Sequence, residues 1–278
     1  MTAPDDGLYD DFIRAKYGGG GPGGDRFEDR DDEIHTSRIA ECQRKLYWDR
    51  RRGGDDDPSV YFELGRVFEL MYGGALAWRY GDLDRSDLQE RRIWELAELA
   101  PRVWQDVGIE IELEGGVSVP GESDWVVLFE DAVGTVEEHG RPERCVLHRD
   151  GSRSFEWADG HVQELDEGSA PPIERVIETK TKNDLSKLDG PQTKHLYQLV
   201  GYTWAFGAPG TLSYTQRDDL ELAEYDVGYD KSLVTDARLR VLRHASNLRG
   251  DELPAADPPS KWSCYYCPHR HDCADARM

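Results

Sequence analysis

No run of eighteen apolar residues occurs anywhere in the 278-residue chain, so no membrane span is expected. The N-terminal stretch MTAPDDGLYDDF lacks the basic and apolar regions of a secretory signal, and the expectation is a cytoplasmic protein. Cysteine is sparse: there are five, three of them bunched near the C-terminus, which in a cytosolic protein read as metal ligands rather than a disulfide framework. Positive charge is short as well, with 34 Lys and Arg against 56 Asp and Glu, a formal net charge of −22. That balance argues against generic nucleic-acid binding, because phosphate contacts need cations. The acidity is of a particular kind, however, rich in Asp and poor in Lys, with Arg supplying most of the positive charge. Such a surface stays solvated at high salt, where repulsion is screened to a few ångströms, and points to a halophilic cytoplasm, the alternative being an ordinary acidic protein. Under the halophilic reading net charge says little about whether DNA is a substrate. The length allows one good-sized core, with or without a small satellite.

What is present is organised around residues 173–207. Ile173 to Lys180 reads as a strand of β-branched residues interleaved with charge, placing Glu178 and Lys180 on one face. Such a carboxylate can hold a divalent metal while the ammonium sits beside the same reacting phosphate. Gly190-Pro191 is expected to open a helix, with Pro191 in its first turn. On that helix Gln198 and Tyr202 share a face, with His195 one turn earlier. Glu-x-Lys on a strand followed by Gln-xxx-Tyr on a helix is an arrangement for metal-assisted attack on a polynucleotide. Either half alone is an ordinary solvated surface.

Residues 1–33, with GGGGPGG at 18–24, are too polar and Gly-rich to bury much surface and are expected to be a flexible arm. A first helix, capped by Thr36 or Ser37, is expected to carry Ile39, Cys42, Leu46 and Tyr47, beside the basic cluster Arg44, Lys45, Arg50, Arg51 and Arg52. A second spans Pro58 to Tyr80, with Gly65 and Glu69 one turn apart. A third spans Asp87 to Gln105, its stripe formed by Leu88, Ile93 or Trp94, Leu96, Leu99 and Val103. Two strands, Val117–Val119 and the SDWVVLFED run, are expected to meet at a Pro120-Gly121 turn, with Asp124, Val126 and Leu128 on one face. Residues 131–172 read as a hairpin insertion between two core strands, with Cys145, His148 and His161 structural or incidental. A strand at Gly210–Tyr214, a further strand or edge, and a helix over Lys231–Arg249 follow. LPAADPP links these to the tail.

In that tail, Cys264-x2-Cys267-x5-Cys273 offers three thiolates of a four-coordinate site. Tetrahedral zinc and a cubane iron–sulfur cluster both accept it. His269 or His271 could complete a zinc site locally, whereas a cluster needs a fourth cysteine from elsewhere, for which Cys42 is the best candidate.

Taken in order, these motifs resemble the PD-(D/E)XK nucleases of the RecB type, and among them most the CRISPR-associated Cas-four exonucleases, over roughly residues 36 to 273 with the middle insertion outside the likeness. CQRKLYW resembles the family's first cluster-cysteine helix and maps to Cys42. Gly65-Arg-Val-Phe-Glu69 resembles its Gly-xxx-His motif, with glutamate in place of histidine as in the lambda-exonuclease branch. GESD supplies Asp124, Glu178 and Lys180 the Glu-x-Lys pair, and Gln198 and Tyr202 the Gln-xxx-Tyr. Cys264, Cys267 with Pro268 after it, and Cys273 resemble its last three cluster cysteines. The resemblance implies an α/β fold, a central mixed sheet flanked by helices with the active site at the sheet's edge and an iron–sulfur-stapled helical portion. In domain terms it implies a nuclease domain over residues 34–278, with the hairpin insertion at 131–172 and the cysteine tail at 260–278. It further implies Mg²⁺ or Mn²⁺ held by Glu69, Asp124, Glu178 and the Thr179 carbonyl. Lys180 is then to position water or stabilise developing charge, and Gln198 and Tyr202 to orient the strand, Tyr202 by stacking on a base. The implied function is an exonuclease on single-stranded DNA ends, in CRISPR spacer adaptation with an integration complex or in DNA repair, with a [4Fe–4S] cluster on Cys42, Cys264, Cys267 and Cys273. The competing readings are a non-catalytic iron–sulfur DNA-binding accessory factor and a zinc-stabilised interaction module.

Overall fold

The computed structural model describes residues 32–52, 60–81, 83–96, 100–130, 140–165 and 172–276. Eight strands are found there: β1 Val103–Glu112, β2 Ser118–Leu128, β3 Arg144–Leu147, β4 Arg153–Glu156, β5 Val162–Leu165, β6 Ile173–Lys182, β7 Gly210–Gln216 and β8 Leu222–Val227. They form one sheet in the order β5-β4-β3-β1-β2-β6-β7-β8. Around it lie α1 Gln43–Arg52, α2 Val60–Tyr80, α3 Arg85–Glu90, α4 Ile93–Leu96, α5 Thr193–Phe206, α6 Lys231–Arg249 and α7 Lys261–Tyr265. A central mixed sheet flanked by helices is thus the class the chain adopts. Among the described residues no helix is long and apolar enough to cross a membrane.

The centre of the sheet is the antiparallel pair β1–β2, in register from Val103↔Val127 to Glu112↔Ser118. Its connection runs through Glu114–Gly116, where Gly115 and Gly116 take φ of 72° and 75°, backbone that only glycine adopts cheaply. Strand alternation divides the core in two. Val126, Leu128 and Val176 face Leu199, Tyr202 and Phe206 of α5 and Val241 of α6, whereas Trp125, Val127 and Ile177 face Tyr72, Leu76 and Ala77 of α2. The backbone of Gly73 lies so close over Trp125 that a Cβ there would come within 2.0 Å of the ring. β6 and β7 are parallel and α5 is the crossover between them. That helix ends on Gly207 in the left-handed region, whose N–H donates to the Thr203 carbonyl at 2.8 Å.

Several sequence expectations are corrected. Among the described residues the predicted third helix is present as α3 and α4, and Val103, Trp104 and Gln105 open β1 instead. Pro101 stops the helix, and burial of alternate residues in a long antiparallel pairing outweighs the helical stripe. Pro120-Gly121 is not a turn but lies inside β2, opposite Glu110 and Ile109. Gly121 is needed for closeness, since a Cβ there would sit 2.4 Å from Thr36 Oγ1. Thr36 itself belongs to a 3-10 turn, Thr36–Arg38, capped by His35, and α1 begins only at Gln43, so Cys42 sits at the mouth of that helix rather than on it. α5 starts at Thr193, leaving Pro191 outside the first turn. Within 131–172 the expected hairpin is present as antiparallel β3 and β4, and with β5 it joins the main sheet, β3 running parallel to β1. Cys145 is accordingly buried in the main core, its thiol 3.8 Å from the Ala205 carbonyl. The predicted arm, apart from residues 32 and 33, lies outside the described residues, as do Leu99, the side chains of Leu88, Ile93 and Trp94, and 131–139 and 166–171 of the insertion.

Candidate active site

Glu178 and Lys180 share a face of β6 as their spacing requires, and the Lys180 ammonium is ion-paired to Glu178 Oε1. The Glu178 side chain is entirely buried, and its second oxygen, Oε2, has no hydrogen-bond partner. On the neighbouring strand Asp124 is fixed by the backbone of β6. Its Oδ2 accepts from the Thr179 N–H at 2.6 Å and from the Thr179 hydroxyl at 2.7 Å. From the α2 side, Glu69 Oε1 accepts from Gln105 Nε2 at 3.2 Å.

These acids feel one another. Burial first, then Asp124 and Asp106, pushes the Glu69 carboxyl up to about 7. Burial and then Asp124 pushes Glu178 up to about 8, against the pull of Lys180. Burial opposes charge on Lys180, but Glu178 and Asp124 outweigh it and hold the ammonium above the usual lysine range. A buried carboxylate oxygen without a donor, amid acids that repel it, has the chemistry of a hard-cation ligand. Among the described residues, no three His, Cys, Asp or Glu side chains converge into a closed metal-binding group. The acids are therefore neighbours, not a finished cage.

Gln198 and Tyr202 do meet, Gln198 Nε2 donating to the Tyr202 hydroxyl at 2.9 Å. The expected stack of Tyr202 on a base is ruled out by its burial, at 0 % exposure. Thr36, wedged between Gly121 and Gly201, lies beside that hydroxyl, its own Oγ1 left without a hydrogen-bond partner. Tyr202 is a strut beneath the acids. His195 is buried too, with Nδ1 3.1 Å from the Tyr214 hydroxyl, and burial plus Lys180 and Lys194 drive its pKa down to about 2, leaving it neutral.

Sequence reasoning missed two sets of residues here. Asp106, held at φ 52°, lies between Gln105 and Val107, whose partners Trp125 and Ser123 flank Asp124. It is a fourth acid of the cluster. Lys182, Lys194 and Arg217 gather beside Lys180, and burial and the other three cations push the Lys182 ammonium down to about 8. Lys182 donates to the neutral Gln192 Oε1 at 2.6 Å, and Arg217 to Asn183 Oδ1 at 2.9 Å. Two-residue spacing from Lys180 was a readable signal for Lys182. The contributions of α5 and β7 needed the fold.

The thiols occupy a second neighbourhood, where the tail packs on α1. Cys42 lies close enough to Cys267 to raise its pKa, a rise due first to burial, and the His269 N–H is hydrogen-bonded to the Cys267 sulfur. Arg44 Nη1 reaches Cys273 Sγ at 3.5 Å. All four of Cys42, Cys264, Cys267 and Cys273 are free and half-buried. His269 Nε2 is taken by Asp49 at 2.8 Å, so only its other ring nitrogen remains for a zinc ion. His271 Nε2 accepts from Arg270 at 3.2 Å. The structure thus brings Cys42 near Cys267, and the four thiols are suitable donors for a thiophilic centre, but among the described residues no three of them converge into a metal-binding group.

The basic cluster of α1 is bonded within the chain, although Arg51 and Arg52 remain exposed. Arg44 pairs with Asp275 at 2.7 Å and donates to the Pro254 carbonyl, Lys45 pairs with Glu41 and Asp49, and Arg52 pairs with Asp272 at 2.7 Å. Arg50 and Arg51 reach the carbonyls of Glu33 and Leu248.

No family model matches the chain, and no curated protein matches it. Among solved structures it is similar to the protein SSO0001, with a TM-score of 0.55 and 16 % identity over 98 % of each chain. It is also similar to an alkaline exonuclease, LHK-Exo from Laribacter hongkongensis, with a TM-score of 0.36 and 10 % identity over 80 % of this chain and 90 % of that one. For the same enzyme in complex with dAMP the TM-score is 0.30, at 9 % identity over 78 % and 91 %. The exonuclease scores are too low to carry an argument. The likeness to SSO0001 shows a shared fold and nothing about activity.

Proposed function

We propose that the chain is a metal-dependent deoxyribonuclease of the RecB type, akin to the Cas-four exonucleases, acting on single-stranded DNA ends in CRISPR spacer adaptation or DNA repair. The observation that supports it most is the buried, donorless Oε2 of Glu178 beside Asp124 and Glu69, with Lys180 locked on the same strand face. Glu69, Asp124, Glu178 and the Thr179 carbonyl would hold Mg²⁺ or Mn²⁺, which supplies Lewis acidity and a water of lowered pKa. The chain's own residues do the rest. Thr179 holds Asp124 in place through two hydrogen bonds to one oxygen. Lys180, fully charged, stands where negative charge develops on a phosphate. Lys182, Lys194 and Arg217 form a seat for the flanking phosphates, and Gln198, propped by Tyr202, orients the strand. Cys42, Cys264, Cys267 and Cys273 would carry a [4Fe–4S] cluster that ties the tail to the mouth of α1.

The test is digestion of single-stranded DNA with Mg²⁺ or Mn²⁺ and without ATP. Wild type is expected to be active, and Asp124→Ala, Glu178→Ala and Lys180→Ala each to lose on the order of 10²–10⁴-fold or more in rate with unchanged circular dichroism. A Lys180→Ala protein of full activity sinks the mechanism. A wild type that binds DNA but never cuts it makes the protein an iron–sulfur accessory factor instead.

A further inference from the structure

The tail that carries three of the thiols also carries three aromatic rings for which the proposed chemistry has no use. Trp262, Tyr265 and Tyr266 are 60 %, 54 % and 77 % exposed. They touch in sequence: the Trp262 and Tyr265 centroids are 6.2 Å apart and those of Tyr265 and Tyr266 4.9 Å, both edge to face. Single exposed aromatics are ordinary, but three in contact make a patch that burial alone would have removed. Two cations lie against it. Lys261 Nζ is 5.7 Å from the Trp262 ring centre and the Arg270 guanidinium 5.5 Å from that of Tyr265. The nearby acids Asp272 and Asp275 are already neutralised by Arg52 and Arg44. Arg270 bonds only neutral groups, the Tyr265 carbonyl and His271, and among the described residues neither it nor Lys261 has a carboxylate partner. A chain of net charge −22 thus presents aromatic faces with unspent positive charge at this spot.

We propose that Trp262, Tyr265 and Tyr266, flanked by Lys261 and Arg270, are a stacking platform for single-stranded nucleic acid. The inference rests on the nuclease reading and names how its substrate strand is held outside the acid cluster. Bases offer π faces whatever their sequence, and stacking on aromatic side chains does not require the phosphates to be neutralised one by one. That suits an acidic protein, for which binding through the phosphate backbone is expensive. A second copy of this chain is a poorer occupant. A two-fold contact through this patch would set Lys261 and Arg270 against their own counterparts.

The experiment uses the full chain, purified anaerobically, and a fluorescein-labelled oligothymidylate of about twenty nucleotides, followed by anisotropy without divalent metal. Trp262→Ala and Tyr266→Ala are each expected to raise Kd roughly 5- to 150-fold, while Trp262→Phe and Tyr266→Phe retain most of the affinity. With two cations engaged, the slope of log K against log salt should be about −1.4. Both side chains are largely exposed, so the alanine variants should keep the wild-type melting curve and metal content. Unchanged Kd in both alanine variants overturns the proposal, as does a change in their sedimentation in place of one in Kd, which would mark a self-association surface. Hydrolysis of the p-nitrophenyl ester of thymidine monophosphate, too short to span both sites, reports on the acid cluster alone. Hydrolysis with ring-independent binding overturns the platform only, and ring-dependent binding with no hydrolysis overturns the nuclease reading only.

Discussion

Two basic clusters of this chain, one a run along α1 and the other assembled around β6, are used in opposite ways. On α1 the cations are satisfied: Arg44, Lys45 and Arg52 each meet a carboxylate, and Arg50 and Arg51 each reach a carbonyl. Arg44, Arg51 and Arg52 fasten residues 43–52 to the last part of the chain. Around β6 the cations crowd one another, and Lys182 holds a proton against Lys194, Arg217 and Lys180 with neutral support from the Gln192 amide and the Tyr214 ring. Paired charge is what a structural clamp looks like, since each pairing removes a desolvation cost. Crowded like charge is retained only where an anion is to arrive, and such groups mark candidate sites. The run of basic residues on α1 is therefore the clamp, and the proposed phosphate seat lies on residues the composition does not advertise.

The largest effect should come from breaking the clamp at its proposed metal centre. With a cluster on Cys42, Cys264, Cys267 and Cys273, the link closes a loop of most of the chain, and the disulfide estimate of loop entropy gives about 4–5 kcal/mol. Cys42→Ser is expected to bleach the broad visible absorption, release iron and lower stability by that order. Cys145→Ser is expected to keep all its iron yet lose roughly 1–3 kcal/mol, because the thiol is buried in the core and burial pushes its pKa up to about 12. Iron and sulfide analysis with chemical unfolding reads both. Retention of iron by Cys42→Ser and its loss from Cys145→Ser would dismantle the proposed ligand set.

The same contrast shows what the sequence disclosed. Strand spacing was enough to put Glu178 and Lys180 on one face, whereas Glu69 and Asp124 were joined to Glu178 only through the resemblance to RecB-type nucleases, since each alone reads as a solvated or turn residue. Tyr202 was misread since helix spacing says which residues share a face, not whether that face is covered by Thr36. Val103–Gln105 was misread because a helical stripe and a strand opening share apolar spacing, and only the pairing with β2 decides. Asp106, Lys194 and Arg217 were silent, being brought to the site by register and crossover alone.

A smaller effect separates the two clusters directly. Arg44→Ala removes the ion pair to Asp275 and the 2.8 Å bond to the Pro254 carbonyl. The Arg44 side chain is 12 % exposed, so the orphaned carbonyl is costly, on the order of 1–3 kcal/mol. The expected result is a melting temperature lowered by several degrees with nuclease activity per folded molecule unchanged. Loss of activity in excess of loss of fold would mean that α1 belongs to the site after all.

Lys182→Gln should act in the opposite direction, and this is the finest test of the comparison. In the folded chain the Lys182 pKa falls from the usual 10.5 to about 8, through burial and then Lys194, Arg217 and Lys180. The unfolded chain therefore binds more protons between those two values, and wild-type stability should rise with pH across that window. Below pH 8 both states are charged and the penalty persists in full. For a half-buried group near solvent it amounts, after screening, to about 1 kcal/mol. Removing the charge is expected to raise stability at pH 7 by about that much and to flatten the pH dependence between 8 and 10.5, as urea unfolding at several pH values would show. The same substitution should weaken single-strand affinity while the turnover of saturated enzyme holds, because Lys182 seats phosphate without touching the scissile bond. A Lys182→Gln protein that is less stable than wild type would place Lys182 with Arg44 among the clamps, and the distinction between paired and crowded charge would no longer locate the site.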